Sequence, residues 1–527
     1  MEESLLLLGL LAAIVALALV AKRLMLPYPI VFVVGGSLLA FIPNLPPIEI
    51  RPETIFLVIL PPLLFGGGWL TDWREFRANI RPIVLLAIGL VAATTVVVAV
   101  VAEHAMPALG WGAAFALGAI ISPPDAVAAS AIFERFRVPH RIVAILEGEG
   151  LVNDASALVI YQFAIGAVVT GAFSLGRAPA AFVGVVAGGI ATGLAVALAI
   201  DAVFRWLAKS GLSDSLLDIL LTLAAPYAAY LPADALHVSG VLAAVTAGVY
   251  LGRRSTAFSP ESRLTGSAVW DLLTFLFNGL VFLLIGLELR QLVRSGTFSV
   301  HILAAGALIS AIVIVVRVAW VFPATYLPRR LSARVAASDP PPPWRYVAII
   351  AWSGMRGIVS LAAALALPLA DDAGMPFPGR AEIIFVTYCV IVSTLVFQGL
   401  SLAPIIRRLG IGDGEAYARR EIEVRIAALE AGLAHLTSLE HRFITTEEWL
   451  VAGRLKAEYE YRIAHLRGHL EGRAEESPAM RVDHWLEGEA LAAERSAIAR
   501  LRAAGEIPDE IFRKVQYDLD LAATRLR

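Results

Sequence analysis

Along the first four hundred positions apolar residues come in runs too long for strands and too continuous for one-faced surface helices, separated by short polar breaks. Stretches of about 17 to 25 largely apolar residues cross a bilayer as helices. Such stretches fall at roughly 5–20, 30–41, 55–70, 83–101, 111–131, 142–169, 180–204, 215–231, 238–251, 269–289, 301–321, 346–369 and 383–402, of which the second and ninth are short. After Arg408 the pattern changes, and residues 415–527 are rich in Ala, Leu, Glu and Arg with apolar positions at helical spacing. Helices are expected there near 416–439, 446–470, 482–504 and 509–526, the second opened by the capping signature Thr445-Thr446-Glu-Glu-Trp. The chain reads as an all-α membrane protein with about 13 transmembrane helices over 1–408 and a cytoplasmic helical domain over 409–527. That second domain either braces a dimer, gates the inner entrance, or is an accessory bundle.

Composition agrees, because 58% of residues are apolar and 17% charged, against about 25% charged in a soluble domain. The formal net charge is −2, with no basic run or aromatic-basic stripe, so nucleic acid is not an expected partner. The one cysteine, Cys389, lies in the last apolar stretch, which excludes a disulfide within the monomer and a cysteine-based metal site. No Gly-rich phosphate loop ends in Lys-Ser or Lys-Thr, and no other enzyme motif stands out. Neither an enzyme nor a resident cofactor is expected; ion gradients supply the energy. The opening Met-Glu-Glu-Ser lacks a positive n-region, which favours an uncleaved first helix over a signal peptide. Lys and Arg cluster on alternate connections with a bias of roughly three to one; Arg51, Arg177, Arg290, Arg294 and Arg380 make up the poorer side. Positive loops stay in the cytoplasm, so the N-terminus is expected outside and the C-terminus inside a cell membrane.

Against this background one run is anomalous: Glu147-Gly-Glu149-Gly-Leu-Val-Asn153-Asp154 sits inside the sixth stretch. A charge at that depth costs roughly 2.5 to 3.5 kcal/mol, so it is retained for transport, proton relay or pairing. An odd number of spans also permits an inverted repeat, roughly 1–170 and 212–405, in which the fifth members correspond. One contains Ser122-Pro123-Pro124-Asp125 and the other Gly354-Met355-Arg356-Gly357. Prolines remove backbone donors and glycines loosen a helix, so both segments are expected to unwind where they cross. Opposed half-helix ends would then account for an acid, Asp125, and a base, Arg356, at matching places.

These residues resemble the monovalent cation:proton antiporters, the family of bacterial Na+/H+ antiporters and animal sodium/proton exchangers. The resemblance rests on Ser122-Pro-Pro-Asp-Ala-Val, Leu146-Glu-Gly-Glu-Gly-Leu-Val-Asn-Asp-Ala-Ser, Gly354-Met-Arg-Gly-Ile-Val-Ser-Leu and Asn278-Gly-Leu-Val-Phe-Leu-Leu-Ile-Gly-Leu-Glu, and it covers nearly the whole chain. It implies a homodimer whose core, carrying the crossed helices, slides against a fixed domain to expose one site to each side in turn. It implies that Asp154 binds the monovalent cation or the proton, with Asp125, the Pro124 carbonyl and Asn153 around it, and that Glu149 and Arg356 form a buried ion pair. Loss of water favours a protonated carboxyl and a bound cation favours the ionised form, so the two ions compete for the same oxygens. Asn153 stands where electrogenic relatives carry a second acid, which implies one-for-one, electroneutral exchange; the alternative is an amide that only packs helices.

Departures limit the match. A hydroxyl of the first crossing helix is lost at Pro124, a serine of the acidic run is Gly150, and a third-span acid of some relatives is Gly66. Ser156 and Ser122 are candidate replacements, with water filling the remaining shell. Glu147 is expected to line the entrance, Arg317 either to snorkel or to pair with a core acid, and Glu288 and Asp271 to be boundary charges. The expected function is exchange of Na+, or of K+ or Li+, for H+ in pH homeostasis. The alternatives are a cation channel using the same acids, or a membrane scaffold.

Overall fold

The computed structural model describes residues 2–525 except 44–53, 171–177, 213, 255–257, 295–298, 371–373, 413, 443–444, 472–477, 505 and 507. Arg51 and Arg177 lie outside the described residues. Residues 1–413 form one compact unit and 414–527 a second. The first unit is helical throughout its named elements, and eight of its helices are long and apolar enough to cross a membrane. Four shorter apolar helices, Tyr28–Leu39, Ile55–Leu70, Pro107–Ile121 and Gly240–Arg253, accompany them. The protein is a multi-pass membrane protein, and Leu5, Leu8 and Leu19 of the first helix are accordingly well exposed on its surface.

The elements that build the site are α1 (Glu2–Leu24), α2 (Tyr28–Leu39), α3 (Ile55–Leu70), α4 (Ile80–Ala105), α5 (Gly110–Ile121), α6 (Val127–Phe136), α7 (His140–Thr170), α8 (Ala178–Lys209), α9 (Ser215–Ala235), α10 (Gly240–Arg253), α11 (Pro260–Arg294), α12 (Val300–Leu331), α13 (Trp344–Trp352), α14 (Ile358–Leu365) and α15 (Arg380–Leu409). Two apolar stretches are each split in the middle. Pro123 and Pro124 end α5 and separate it from α6, because neither offers an amide hydrogen to continue the ladder. Between α13 and α14, residues 353–357 have no regular structure.

The glycines of that second break act by closeness as much as by looseness. A Cβ on Gly357 would collide with the Asp125 carboxylate, and one on Gly354 with the Arg317 side chain. Elsewhere glycine lets backbones touch, which is how helices associate where lipid supplies no hydrophobic drive. On α10, Gly248 and Gly252 stand one turn apart, and a methyl on either would strike the carbonyl of Phe65 or of Trp69 on α3. Gly36 of α2 and Gly286 of α11 meet in the same way.

Outside the spans, Asp339 ties three helix ends together. Its carboxylate accepts hydrogen bonds from Arg141 at the start of α7 and from Arg329 at the end of α12, each at 2.6 Å, and pairs with Arg81 at the start of α4. Burial alone would push this carboxyl up, but the hydrogen bonds and charges of Arg141 and Arg329 hold it below its ordinary value. A folded-state value below the unfolded one contributes stability above the unfolded pKa and loses it as pH falls through the folded one.

In the second unit the helices α16 (Gly414–Ser438), α17 (Thr446–Leu470), α18 (Pro478–Ala503) and α19 (Asp509–Arg525) follow one another. The Thr445 hydroxyl and the Glu448 carboxylate cap α17 reciprocally. Lys456 of α17 pairs with Glu440, just before it in the chain.

Asp339→Asn is expected to lower thermal stability at neutral pH by about 1 to 3 kcal/mol, because three guanidinium groups lose their shared anion. The gap between variant and wild type should close in acid below the ordinary carboxylate range, as checked by melting curves of the purified protein from pH 7 down to pH 3.

Candidate functional site

The two broken segments meet backbone to backbone, where the Asp125 amide donates to the Met355 carbonyl at 2.7 Å. Asp125 itself stands at the N-terminus of α6, its Oδ1 accepting from the Val127 amide at 2.8 Å, and it lies against Gly357 just before α14. Two helix N-termini thus face one carboxylate, the arrangement that favours negative charge. The base sits at the opposite kind of end. Arg356 is fully buried and donates to the carbonyls of Ile121 at 3.0 Å and Ser122 at 3.3 Å, at the C-terminus of α5, and to its own neighbour Gly354. Carbonyls freed by the break are capped by a cation that the break itself attracts.

Asn153, wholly buried on α7, donates from Nδ2 to the Pro124 carbonyl at 2.8 Å. It therefore pins the first break from the adjacent helix, and the carbonyl keeps one free lone pair. The rotation of about 100° between consecutive helical residues places the neighbouring Asp154 on a different face, where it lines a cavity of about 370 Å³ together with Asp125, Glu147, Ser130 and Ser360. Neither oxygen of Asp154 has a hydrogen-bond or ion-pair partner among the described residues. Ser360, on α14, is buried with its hydroxyl unpartnered and belongs to the same lining. Nothing in the sequence marked it except its place three residues after Gly357.

Several expectations need correction. Glu149 does not take Arg356 as its partner. Arg317 of α12 reaches it with both ends of the guanidinium, Nη1 to Oε1 at 2.6 Å and Nη2 to Oε2 at 2.8 Å, and also donates to the Ile350 carbonyl on α13. The reason is geometric: the fork of Arg317 faces the carboxylate squarely, while Arg356 is committed to the carbonyls of the first break. Both partners are essentially inaccessible, at 1% and 0% exposure, so the pair is a buried structural bridge. Ser156 is not part of the cavity lining; its hydroxyl donates back to Val152 at 3.1 Å. Ser122 likewise bonds to Ala119 at 3.0 Å in the interior. Glu288 is buried at 4% exposure, on an α11 that continues to Arg294, whereas Asp271 is exposed.

A membrane unit whose two broken helices cross beside an unpaired acid is the setting in which the comparisons decide. The family model for sodium/hydrogen exchanger, transmembrane, matches residues 9–408. The chain belongs to the sodium/hydrogen exchanger family. It is 33% identical over 529 residues to the uncharacterized Na(+)/H(+) exchanger YjcE of Escherichia coli K12, covering 96% of each. It is 36% identical over 407 residues to a sodium, potassium, lithium and rubidium/H(+) antiporter of Bacillus pumilus, covering 74% of this chain and 60% of that one. Its fold resembles the sodium proton antiporter MjNhaP1 of Methanocaldococcus jannaschii, with a TM-score of 0.56 at 18% identity over 78% of this chain and 99% of the other. Membership makes this exchanger a transporter performing cation/proton antiport.

Removing one member of a buried pair leaves an uncompensated charge, a loss of about 3 to 5 kcal/mol. Arg317→Ala is therefore expected to destabilise the exchanger by that amount, and the Glu149/Arg317 double-mutant cycle to show strong coupling. The Glu149/Arg356 cycle should show much less. Thermal melting of the three single and two double variants in detergent measures both; equal coupling to the two arginines would contradict the geometry.

Proposed function

We propose that the exchanger trades a monovalent cation, Na+ in the first place with K+ and Li+ as alternatives, for H+ at Asp154, one for one and without net charge movement. The observation that carries this reading is the free Asp154 carboxylate in a cavity beside two crossed, unwound segments. A carboxylate held away from water binds either a proton or a metal cation, and occupancy by one excludes the other. Competition at a single group gives antiport when the empty, charged carrier crosses poorly.

The neutral Asn153 beside it supports the one-for-one ratio. Asp125 shares the cavity, but its carboxylate is engaged by the Val127 amide at the start of α6, which makes it a positioned ligand beside the free acid. The cation is cargo, held by Asp154 with help from Asp125 and the remaining lone pair of the Pro124 carbonyl.

Movement follows from the same architecture. The two broken segments that meet beside Asp154, read as matching members of an inverted repeat of about thirteen crossings, support a core that carries Asp154 and slides against a fixed scaffold, exposing the site to one side and then the other. In this reading the protein is a homodimer in lipid, with its N-terminus outside and the second helical unit in the cytoplasm, the orientation favoured by the basic connections.

Proteoliposomes loaded with a pH-sensitive dye test the proposal. Asp154→Asn is expected to reduce Na+-driven proton flux by at least roughly 100-fold, in line with losing the group that holds both ions, and Asp125→Ala to abolish most of it. Clamping the membrane potential with K+ and valinomycin should leave Na+-driven wild-type flux unchanged. Persistent exchange in Asp154→Asn would sink the assignment, and current without opposing proton flow would mean a channel.

A further inference from the structure

The cavity has two unlike walls. The wall carrying Asp154 and Asp125 is rich in oxygen, whereas the facing wall is built from α3 and α11 and is mostly leucine and bare glycine backbone. Two polar side chains interrupt that second wall, Thr274 and Asn278 of α11. They are four residues apart, so they stack on one helix face and point the same way. Both are half-buried, and neither has a hydrogen-bond partner among the described residues.

Their position is tied to Gly66. A Cβ built on Gly66 would lie 3.6 Å from the Thr274 hydroxyl oxygen, so a side chain there would pack directly against that hydroxyl. Gly67, beside it, also lines the space without a side chain. The sequence thus leaves α3 bare where α11 presents an oxygen. A small hard cation stripped of most of its water needs several oxygens at close range, and polar groups in a membrane cavity are costly unless water or an ion satisfies them.

We infer that Thr274 and Asn278 supply side-chain oxygens to the transported cation from the wall opposite Asp154, and that they set which alkali cation the exchanger prefers. The inference rests on the reading of Asp154 as the exchange site and deepens it. Proton binding needs Asp154 alone, while cation binding draws on both walls. Loss of either α11 oxygen therefore weakens the cation without altering the proton. Li+ and Na+, which need short contacts and resist dehydration, suffer more than K+.

The test uses the full chain in proteoliposomes, with LiCl, NaCl and KCl as probes and half-saturating concentrations measured from pH 6 to 9. Asp154-dependent exchange by the wild type is the control; its absence would count against the proposed function and not against this inference. Thr274→Val and Asn278→Leu are each expected to raise the half-saturating Na+ concentration roughly fivefold to tenfold, the usual worth of one ligand hydrogen-bonding group. The rise should be the same factor at every pH, leaving the pH at which protons begin to compete where it was, and the Li+ rise should exceed the K+ rise. Thr274→Ser, which keeps the hydroxyl, should recover most of the affinity that Thr274→Ala loses, a comparison that holds even if the valine variant does not fold. Half-saturating values within twofold of wild type for all three ions, equal behaviour of the Ser and Ala variants, or a shift in the proton competition alongside the cation would each overturn the assignment.

Discussion

A helix broken inside hydrocarbon exposes carbonyls and amides that no water can reach, and this constraint organises the centre of the molecule. The break after α5 is answered by Arg356, buried among the carbonyls of Ile121 and Ser122, and by the Asn153 amide on the Pro124 carbonyl. The amide ends of the half-helices are answered by Asp125. The second broken segment thus supplies the cation that the carbonyls of the first need, while the acid of the first caps its own α6 and lies against Gly357 of the second. The unwound region is held by ion-to-backbone contacts in place of the ladder that prolines and glycines interrupted.

Satisfying the breaks uses up Arg356 and Asp125, which changes what the remaining charges do. Glu149 turns to Arg317, whose fork also grips the Ile350 carbonyl, so α7, α12 and α13 are joined by one guanidinium. Asp339 repeats the theme at the ends of α4, α7 and α12. The helix that bears Asp154 is therefore fastened near its middle and at its start, while Asp154 itself, facing the cavity, has no hydrogen-bond or ion-pair partner among the described residues. An acid with no protein partner is available to a mobile ion; an acid with a guanidinium on it is not.

Much of this was readable from residues alone. Proline pairs and glycines in the middle of apolar runs announced the breaks, and a carboxylate at mid-span announced the site, because the membrane makes both too expensive to keep idly. The partner of Glu149 was not readable, since two arginines lie at similar depth on different helices and sequence spacing carries no information across helices. Ser156 looked like a ligand because it follows Asp154 by two residues, yet a hydroxyl on a helix has a ready acceptor four residues back, and Val152 takes it. Glu288 seemed to end a span because a charge usually does; α11 simply runs further. Thr274, Asn278 and Ser360 were invisible as a set, for the first two lie on α11 and the third on α14, and all have ordinary side chains. The Gly248-x-x-x-Gly252 spacing on α10 is a legible signal of close helix contact that carries no charge.

That spacing has a mechanical consequence. With α10 lying backbone against backbone on α3, there is no layer of rotatable side chains between them to compress or rearrange. The bare stretch at Gly66 and Gly67 is part of the same helix, so its distance from the centre of the molecule is gauged by peptide geometry, which varies by tenths of an ångström, and not by rotamers, which vary by several. The cavity is thereby given one wall of fixed calibre.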